Sequence, residues 1–235
     1  IEINPNYANA HYNLGNLLFD LRRLKDAEFY TRKAIGINPN FANAHSNLGK
    51  ILYSLGKLKD AELSYRKAIE LNPSFTDAYY NLGNLFFELN KLKDAELSYR
   101  KAIQLNSNFT AAHYNLGRVS IDLGKLKDAE LSYRKAIELN PNFAICHANL
   151  GDLLRDLGKL KDSEFYTRKA IEINPNYAIA HFNLGNILSD LGKLKEAKIS
   201  FRKAISLKPD FADAYLNLSL IELAEGNYQN GLENY

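Results

Sequence analysis

The segment Ser-Tyr-Arg-Lys-Ala-Ile occurs at residues 64–69, 98–103 and 132–137, at a constant interval of 34 residues. The Leu-Gly pair follows the same period, and aligning on it places the whole chain in register. A fixed period of this length is the sequence signature of a protein built from stacked repeats. We predict one domain, 1–235, in which residues 1–7 are the tail of a preceding repeat. The repeats are 8–41, 42–75, 76–109, 110–143, 144–177, 178–211 and a partial seventh, 212–235.

Each repeat is predicted to contain two helices. In the second repeat, Ala44, Leu48 and Ile51 follow the three- and four-residue spacing of an amphipathic first helix. Gly56 is expected to end this helix in the left-handed conformation, and Asn90 takes its place in the third repeat. We expect the N-caps of the following first helices at polar residues just after the proline that closes each repeat, because such side chains accept backbone hydrogen bonds. These are Asn40, Ser74, Asn142 and Asp210.

Small residues recur at fixed positions, and such a set of equivalent positions is called a column below. Gly49 and Ala61 are predicted to let the two helices of one repeat approach closely, and Ala68 does the same for the next repeat. A large side chain in these columns would force the helices apart.

These columns resemble the tetratricopeptide repeat along essentially the entire chain. The resemblance implies an all-α fold, a right-handed superhelical solenoid of 34-residue helix-turn-helix repeats. First helices would line a concave groove, and second helices would form the convex back. Histidine or tyrosine stands in the usual tryptophan column, and Arg22 replaces a glycine. The implied function is a non-catalytic protein–protein interaction scaffold that binds an extended peptide or partner protein in the groove.

One column of the first helices is asparagine in every repeat. A primary amide has two donors and an acceptor, so it can bridge the N–H and C=O groups of an extended peptide. Alternatively, these amides hold neighbouring helices together, and the sequence leaves both interpretations open. The column contains Asn13, Asn47, Asn81, Asn115, Asn149, Asn183 and Asn217.

Neighbouring columns are aromatic or acidic. Aromatic side chains beside polar groups suit tight contacts with a partner, and the acidic column would favour a ligand that carries Lys or Arg. The alternative for the acids is a solvated face without a binding role. The aromatic residues predicted to line the groove are Tyr12, Tyr80, Tyr114, Phe182, Phe19, Tyr53 and Phe87. The acidic column contains Asp20, Glu88, Asp122, Asp156 and Asp190, of which Asp122 and Asp156 are the predicted site residues.

Composition argues against several other functions. A net charge of +3 from 30 basic and 27 acidic residues is too balanced for a protein built to bind nucleic acid. No apolar run is long enough to span a membrane, and no phosphate loop or catalytic triad stands outside the repeat, so we expect neither enzyme activity nor a cofactor. Cys146 stands in a core column and is interpreted as an inert small apolar residue. Five histidines share one column at a spacing too wide for a common metal ion, and we expect them to be half-buried packing residues. They are His11, His45, His113, His147 and His181.

The ends of the sequence suggest two further functions. Ile1 and Ile3 would expose apolar surface, which favours either a longer parent chain or repeats that associate end to end. The stretch 216–235 resembles the last repeat before a glycosyltransferase-like domain in bacterial proteins. The alternatives are therefore the substrate-recognition arm of such a transferase and a self-assembling structural solenoid. The lone cysteine favours a reducing, cytoplasmic location.

Overall fold

A computed structural model describes residues 7–226, and all regular secondary structure in that range is helical. The thirteen helices of this range follow the predicted register, two in each of the six full repeats and α13 in the seventh. They are α1 (Ala8–Asp20), α2 (Leu24–Ile37), α3 (Ala42–Ser54), α4 (Leu58–Leu71), α5 (Thr76–Glu88), α6 (Leu92–Leu105), α7 (Thr110–Asp122), α8 (Leu126–Leu139), α9 (Ala144–Asp156), α10 (Leu160–Ile173), α11 (Ala178–Asp190), α12 (Leu194–Leu207) and α13 (Ala212–Ala224). The predicted tail before Tyr7 and the end of the seventh repeat after Gly226 lie outside the described residues.

The chain divides into two compact units, residues 1–124 with α1–α7 and residues 125–235 with α8–α13. Within the first unit, each helix packs against the next one along the chain, both inside a repeat and across the repeat boundary. The same pattern runs from α8 to α13 in the second unit. The predicted stacking of helical hairpins is therefore confirmed within each unit.

Close packing inside a hairpin depends on the glycine of the Leu-Gly column. A Cβ atom added to Gly49 would lie 2.5 Å from the ring of Tyr65, and one added to Gly83 would lie 2.7 Å from Tyr99. Real Cβ atoms do not approach other atoms so closely, so any larger residue forces the helices apart. Ala61 and Ala68 are completely buried. The predicted role of the small columns is confirmed.

The prediction of polar N-caps was wrong. The first helices begin after an aromatic residue, for example Phe41 before α3, and no side chain caps them. The predicted caps Asn40, Ser74, Asn142 and Asp210 lie one residue earlier, inside the turn. Asn38 explains the shift, because its Oδ1 accepts the backbone N–H of Asn40 at 3.1 Å and so closes the turn before the helix starts. The same bond recurs at four other repeat boundaries.

Left-handed residues end the first helices as predicted. Gly56 has a φ of 73° and Asn90 a φ of 55°, and Arg22 adopts the same conformation with a φ of 59°. This conformation is strained for a residue that carries a Cβ atom, and asparagine tolerates it better than arginine.

Replacing Arg22 with glycine is expected to raise the free energy of unfolding by about 1 kcal/mol, because the strain of the left-handed backbone is relieved. Urea unfolding followed by circular dichroism measures the change. The reciprocal variant Gly56→Arg, at the equivalent position one repeat later, is the control and should lower the stability by a similar amount. If both variants changed the free energy of unfolding in the same direction, the strain argument would be contradicted.

Candidate functional site

Two amides of the asparagine column bridge neighbouring first helices. The Asn115 amide nitrogen on α7 donates to Asn84 Oδ1 at 2.9 Å and to the Tyr80 hydroxyl at 3.2 Å, both on α5. In the second unit, Asn217 donates to Asn186 Oδ1 at 2.8 Å. At these positions the amide holds helices together, which was one of the two interpretations left open by the sequence.

Other amides of the column have no hydrogen bond within the described part of the chain. Asn81 is half-buried, and the position that faces it from the preceding repeat is Lys50, which cannot accept a hydrogen bond as Asn84 does. Asn13 is exposed on the first helix. Asn183 is nearly buried, and its counterpart in the preceding repeat is Asp152. Asn13 and Asn81 therefore keep donors and acceptors for a ligand.

The remaining two members of the column are less open. Asn47 is nearly buried and makes one long hydrogen bond, at 3.4 Å, to the Thr31 hydroxyl. Asn149 is half-buried.

The predicted aromatic residues of this surface are partly used for packing. The rings of Tyr12 and Phe41 lie 4.9 Å apart, and the rings of Tyr80 and Phe109 lie 4.8 Å apart. Phe182 packs in the same way against the loop residue Phe211 in the second unit. Each ring therefore stabilises the turn into the next repeat and leaves one side half-exposed.

A pocket of about 470 Å³ opens where this aromatic column carries Ser46 instead of a ring. It brings the predicted residues Tyr12, Phe19 and Asn47 together with residues of α1, α3 and the start of α5. Residues that the sequence analysis missed are Asn16, Lys50, Asn43, Asp77 and the loop residue Phe75. The helical ones could have been found, because Asn16 and Lys50 lie four residues after Tyr12 and Ser46 and so share their helix face.

Two acids of the acidic column are paired across repeats. Burial and a hydrogen bond to the Glu88 carboxylate raise the pKa of Tyr53 to about 12, so its hydroxyl donates to Glu88 at neutral pH. Arg155 Nε donates to Asp190 Oδ2 at 2.6 Å in the second unit. In both pairs the donor comes from the preceding repeat and from the column one position before the acid. The sequence analysis treated each column separately and so did not predict these pairs.

The two acids predicted as site residues keep their carboxylates for a ligand. Asp122 and Asp156 are exposed and form no ion pair with any residue between 7 and 226. Phe87 lies under the guanidinium of Arg118, whose Cζ is 4.6 Å from the ring centre. Tyr114 is half-buried, and Arg118 also approaches its ring at 6.0 Å. Within each unit, the first helices therefore present acids, amides and rings, with a few cations.

The histidine column has a structural role that the sequence analysis only partly anticipated. His45 Nε2 donates to the carbonyl oxygen of Pro39 at 2.9 Å, six residues earlier. His113, His147 and His181 repeat this bond at their own repeat boundaries. The rings are buried or half-buried, which confirms the expected packing role. No cluster of three or more metal-binding side chains is found among residues 7–226.

Family models match this arrangement of repeats. Those described as tetratricopeptide repeat match residues 8–41, 76–109, 110–143, 132–165 and 178–211, and one described as TPR repeat matches residues 49–90. The chain belongs to the tetratricopeptide repeat family. The family assignment made from the sequence is thereby confirmed. No curated protein matches this tetratricopeptide repeat chain, so the link to a glycosyltransferase-like protein stays a prediction.

Solved structures share the fold. YrrB, described as a TPR protein with an unusual peptide-binding site, is 27% identical to this tetratricopeptide repeat chain. The match covers 84% of this chain and 97% of YrrB, with a TM-score of 0.69. The pilF protein of Pseudomonas aeruginosa is 20% identical over 93% of this chain and 97% of its own, with a TM-score of 0.79. MamA is 23% identical over 71% and 97%, with a TM-score of 0.66. At their identities, pilF and MamA show the common fold alone. In the range 7–226, no helix is long and apolar enough to cross a bilayer.

Proposed function

We propose that this chain is a non-catalytic scaffold that binds an extended peptide of a partner protein along its first helices. The pocket beside Ser46 carries the proposal. It is walled by the rings of Tyr12, Phe19 and Phe75 and can take one side chain of a bound peptide. The similarity to YrrB, whose description includes a peptide-binding site, supports peptide binding as the function.

The unpaired amides favour a main-chain ligand. Asn81 lies on α5, the next first helix after the pocket, and has both amide donors and its carbonyl oxygen available. An amide in this state can bind the N–H and C=O groups of one peptide unit without selecting a side chain. Such contacts suit an extended segment, because extended backbone leaves its polar groups unpaired.

Charge favours a peptide that carries Lys or Arg. Asp20 and Asp77 stand at the pocket, opposed by the single cation Lys50. Further along the first unit, Asp122 is exposed and unpaired by any described residue. Basic side chains would pair with these carboxylates, and an arginine would also stack on the aromatic walls of the pocket.

Replacing Ser46 with tyrosine is expected to weaken peptide binding about tenfold or more, because the new ring would occupy the pocket. Tyr12 and Tyr80 stand in the same column of the flanking repeats, so the fold accommodates this residue. A phage-displayed random peptide library is selected on the chain and counter-selected on the S46Y variant. The affinity of an enriched, fluorescein-labelled peptide is then measured by fluorescence anisotropy.

Ser46→Ala is the matched control, because it leaves the pocket open and should bind like the parent chain. Asn81→Ala should lose affinity for the same peptide, and the enriched peptides should contain Lys or Arg. If selection yields no peptide whose binding depends on either Ser46 or Asn81, the first helices are not the binding surface.

A further inference from the structure

The second helices expose one column of large apolar side chains that the fold does not use. These residues are 53% to 67% exposed, whereas Tyr65, Tyr99 and Tyr133, two residues later on α4, α6 and α8, are buried. Such exposure is costly in water unless another surface covers it. The column contains Phe29, Leu63 and Leu97 in the first unit and Leu131, Phe165 and Ile199 in the second.

Two pockets open beside this column in the first unit. One, of about 410 Å³, lies among α2, α3 and α4 and has Ile35, Leu48 and Leu63 as its apolar lining. The other, of about 420 Å³, lies among α4, α5 and α6, with Ile69, Leu82, Phe86 and Leu97. Each has room for an apolar side chain of a partner. Equivalent pockets one repeat apart would take two anchors of one segment.

The rim of the first pocket presents cations, of which Lys67 pairs with Glu70 at 2.7 Å. Arg32 and Lys67 stand on the first rim, and no carboxylate lines that pocket. Arg32 pairs with Glu28, but the arginine side chain is 53% exposed and the glutamate only 15%, so the positive charge faces solvent. Burial opposes ionisation of Glu28, yet hydrogen bonds from Lys57 and Arg32 outweigh it and lower the pKa of Glu28. The carboxylate of Glu28 therefore remains ionised and paired with Lys57 and Arg32.

Lysines extend this positive character along each second helix. Lys59 and Lys93 lie four residues before Leu63 and Leu97, on the same helix face, and are exposed. Neither forms an ion pair with any described residue. In the second pocket, Arg66 and Lys101 stand opposite Glu70 and Asp94, so that rim is closer to neutral.

We infer that the second helices of the first unit form an additional docking surface for an acidic, amphipathic segment of another protein. Its apolar side chains occupy the pockets beside Leu63 and Leu97, and its carboxylates pair with Arg32, Lys59 and Lys93. A second copy of this chain docked through the same second-helix surface is a poor occupant, because the same cations would face each other. A flat anionic membrane would not use two separate pockets. This surface is independent of the peptide site proposed on the first helices.

The test is a subtraction experiment with the double variant Leu63→Ser, Leu97→Ser. Both side chains are about two-thirds exposed, so the variant should keep the helical circular dichroism spectrum of the parent chain. A phage-displayed random peptide library is selected on the parent chain and counter-selected on the double variant. We expect the surviving peptides to combine Asp or Glu with Leu, Ile or Phe, and to bind the double variant about tenfold more weakly or worse in fluorescence anisotropy.

Controls separate the two surfaces and the two kinds of partner. Ser46→Tyr should leave binding of these acidic peptides unchanged. Binding should be weaker in 300 mM salt than in 50 mM salt, because salt screens the attraction between exposed charges. Survivors that are basic, or an absence of survivors, would overturn the inference. Sedimentation of the parent chain with phosphatidylserine vesicles, lost in the double variant, would also overturn it in favour of a lipid surface.

Discussion

Replacing Phe201 with alanine is expected to lower the free energy of unfolding by about 3–5 kcal/mol, because it leaves a large cavity in a close-packed core. Phe201 on α12 is 1% exposed, and its ring fills the space left by Gly185 on α11. It belongs to the core cluster of the second unit together with Leu184, Leu188 and Leu218. Neighbouring helices cannot close such a cavity without breaking their own contacts. Urea unfolding followed by circular dichroism measures the loss.

Ile199→Ala is the matched control for this prediction. Ile199 lies two residues earlier on the same helix but is 67% exposed. Its truncation should therefore change the stability by no more than about 0.5 kcal/mol. Similar losses for the two variants would mean that α12 is not packed through the face that carries Phe201.

The thiol of Cys146 is expected to react with 5,5′-dithiobis(2-nitrobenzoate) about a thousandfold more slowly in the folded protein than in concentrated urea, because only the thiolate attacks. Cys146 is completely buried in α9, and its thiol donates to the Tyr133 carbonyl oxygen at 3.5 Å. Burial raises the pKa of the Cys146 thiol from 9.0 to about 12. At pH 8 the thiolate fraction falls by about three powers of ten with such a change.

The same pKa gives a sign for the pH dependence of stability. A group whose pKa is raised on folding stabilises the folded state fully below its unfolded pKa, and this contribution is lost as pH rises through the folded value. The Cys146 contribution should therefore decline between about pH 9 and pH 12. Since the chain has one cysteine, the reagent reports on this site alone. Equal labelling rates in buffer and in urea would contradict the buried position.

The fold could be predicted from the sequence because its information is periodic. Leu48, Gly49 and Ala61 mean little singly, but their recurrence at one interval fixes both helices and the close contact between them. The N-cap prediction was wrong for a local reason: the side chain of Asn38 closes the turn, and Phe41 instead of Asn40 stands at the N-cap position of α3. A propensity for capping does not distinguish these two uses of a polar residue.

The candidate site was predicted one column at a time, so contacts between residues of different columns were missed. The hydrogen bonding of these two amides depends on a residue of another column in the preceding repeat. Asn84 accepts a hydrogen bond from Asn115, whereas Lys50 offers no acceptor to Asn81. The pairing of Tyr53 with Glu88 has the same origin. The pocket at Ser46 is a cavity left by a small side chain, and it can be recognised only when the positions of the surrounding rings are known.

The bond from Asn115 to Asn84 has a consequence for how such a chain can change in length. Excision of residues 76–109 would keep the period and the core columns intact, yet it would place Lys50 opposite Asn115 and set that amide free. Tyr53 would then face Asp122, which could replace Glu88 as its acceptor. Unequal recombination between near-identical repeats therefore alters binding chemistry at the new junction while preserving the architecture. A family of such proteins can acquire new ligand preferences without a single point mutation.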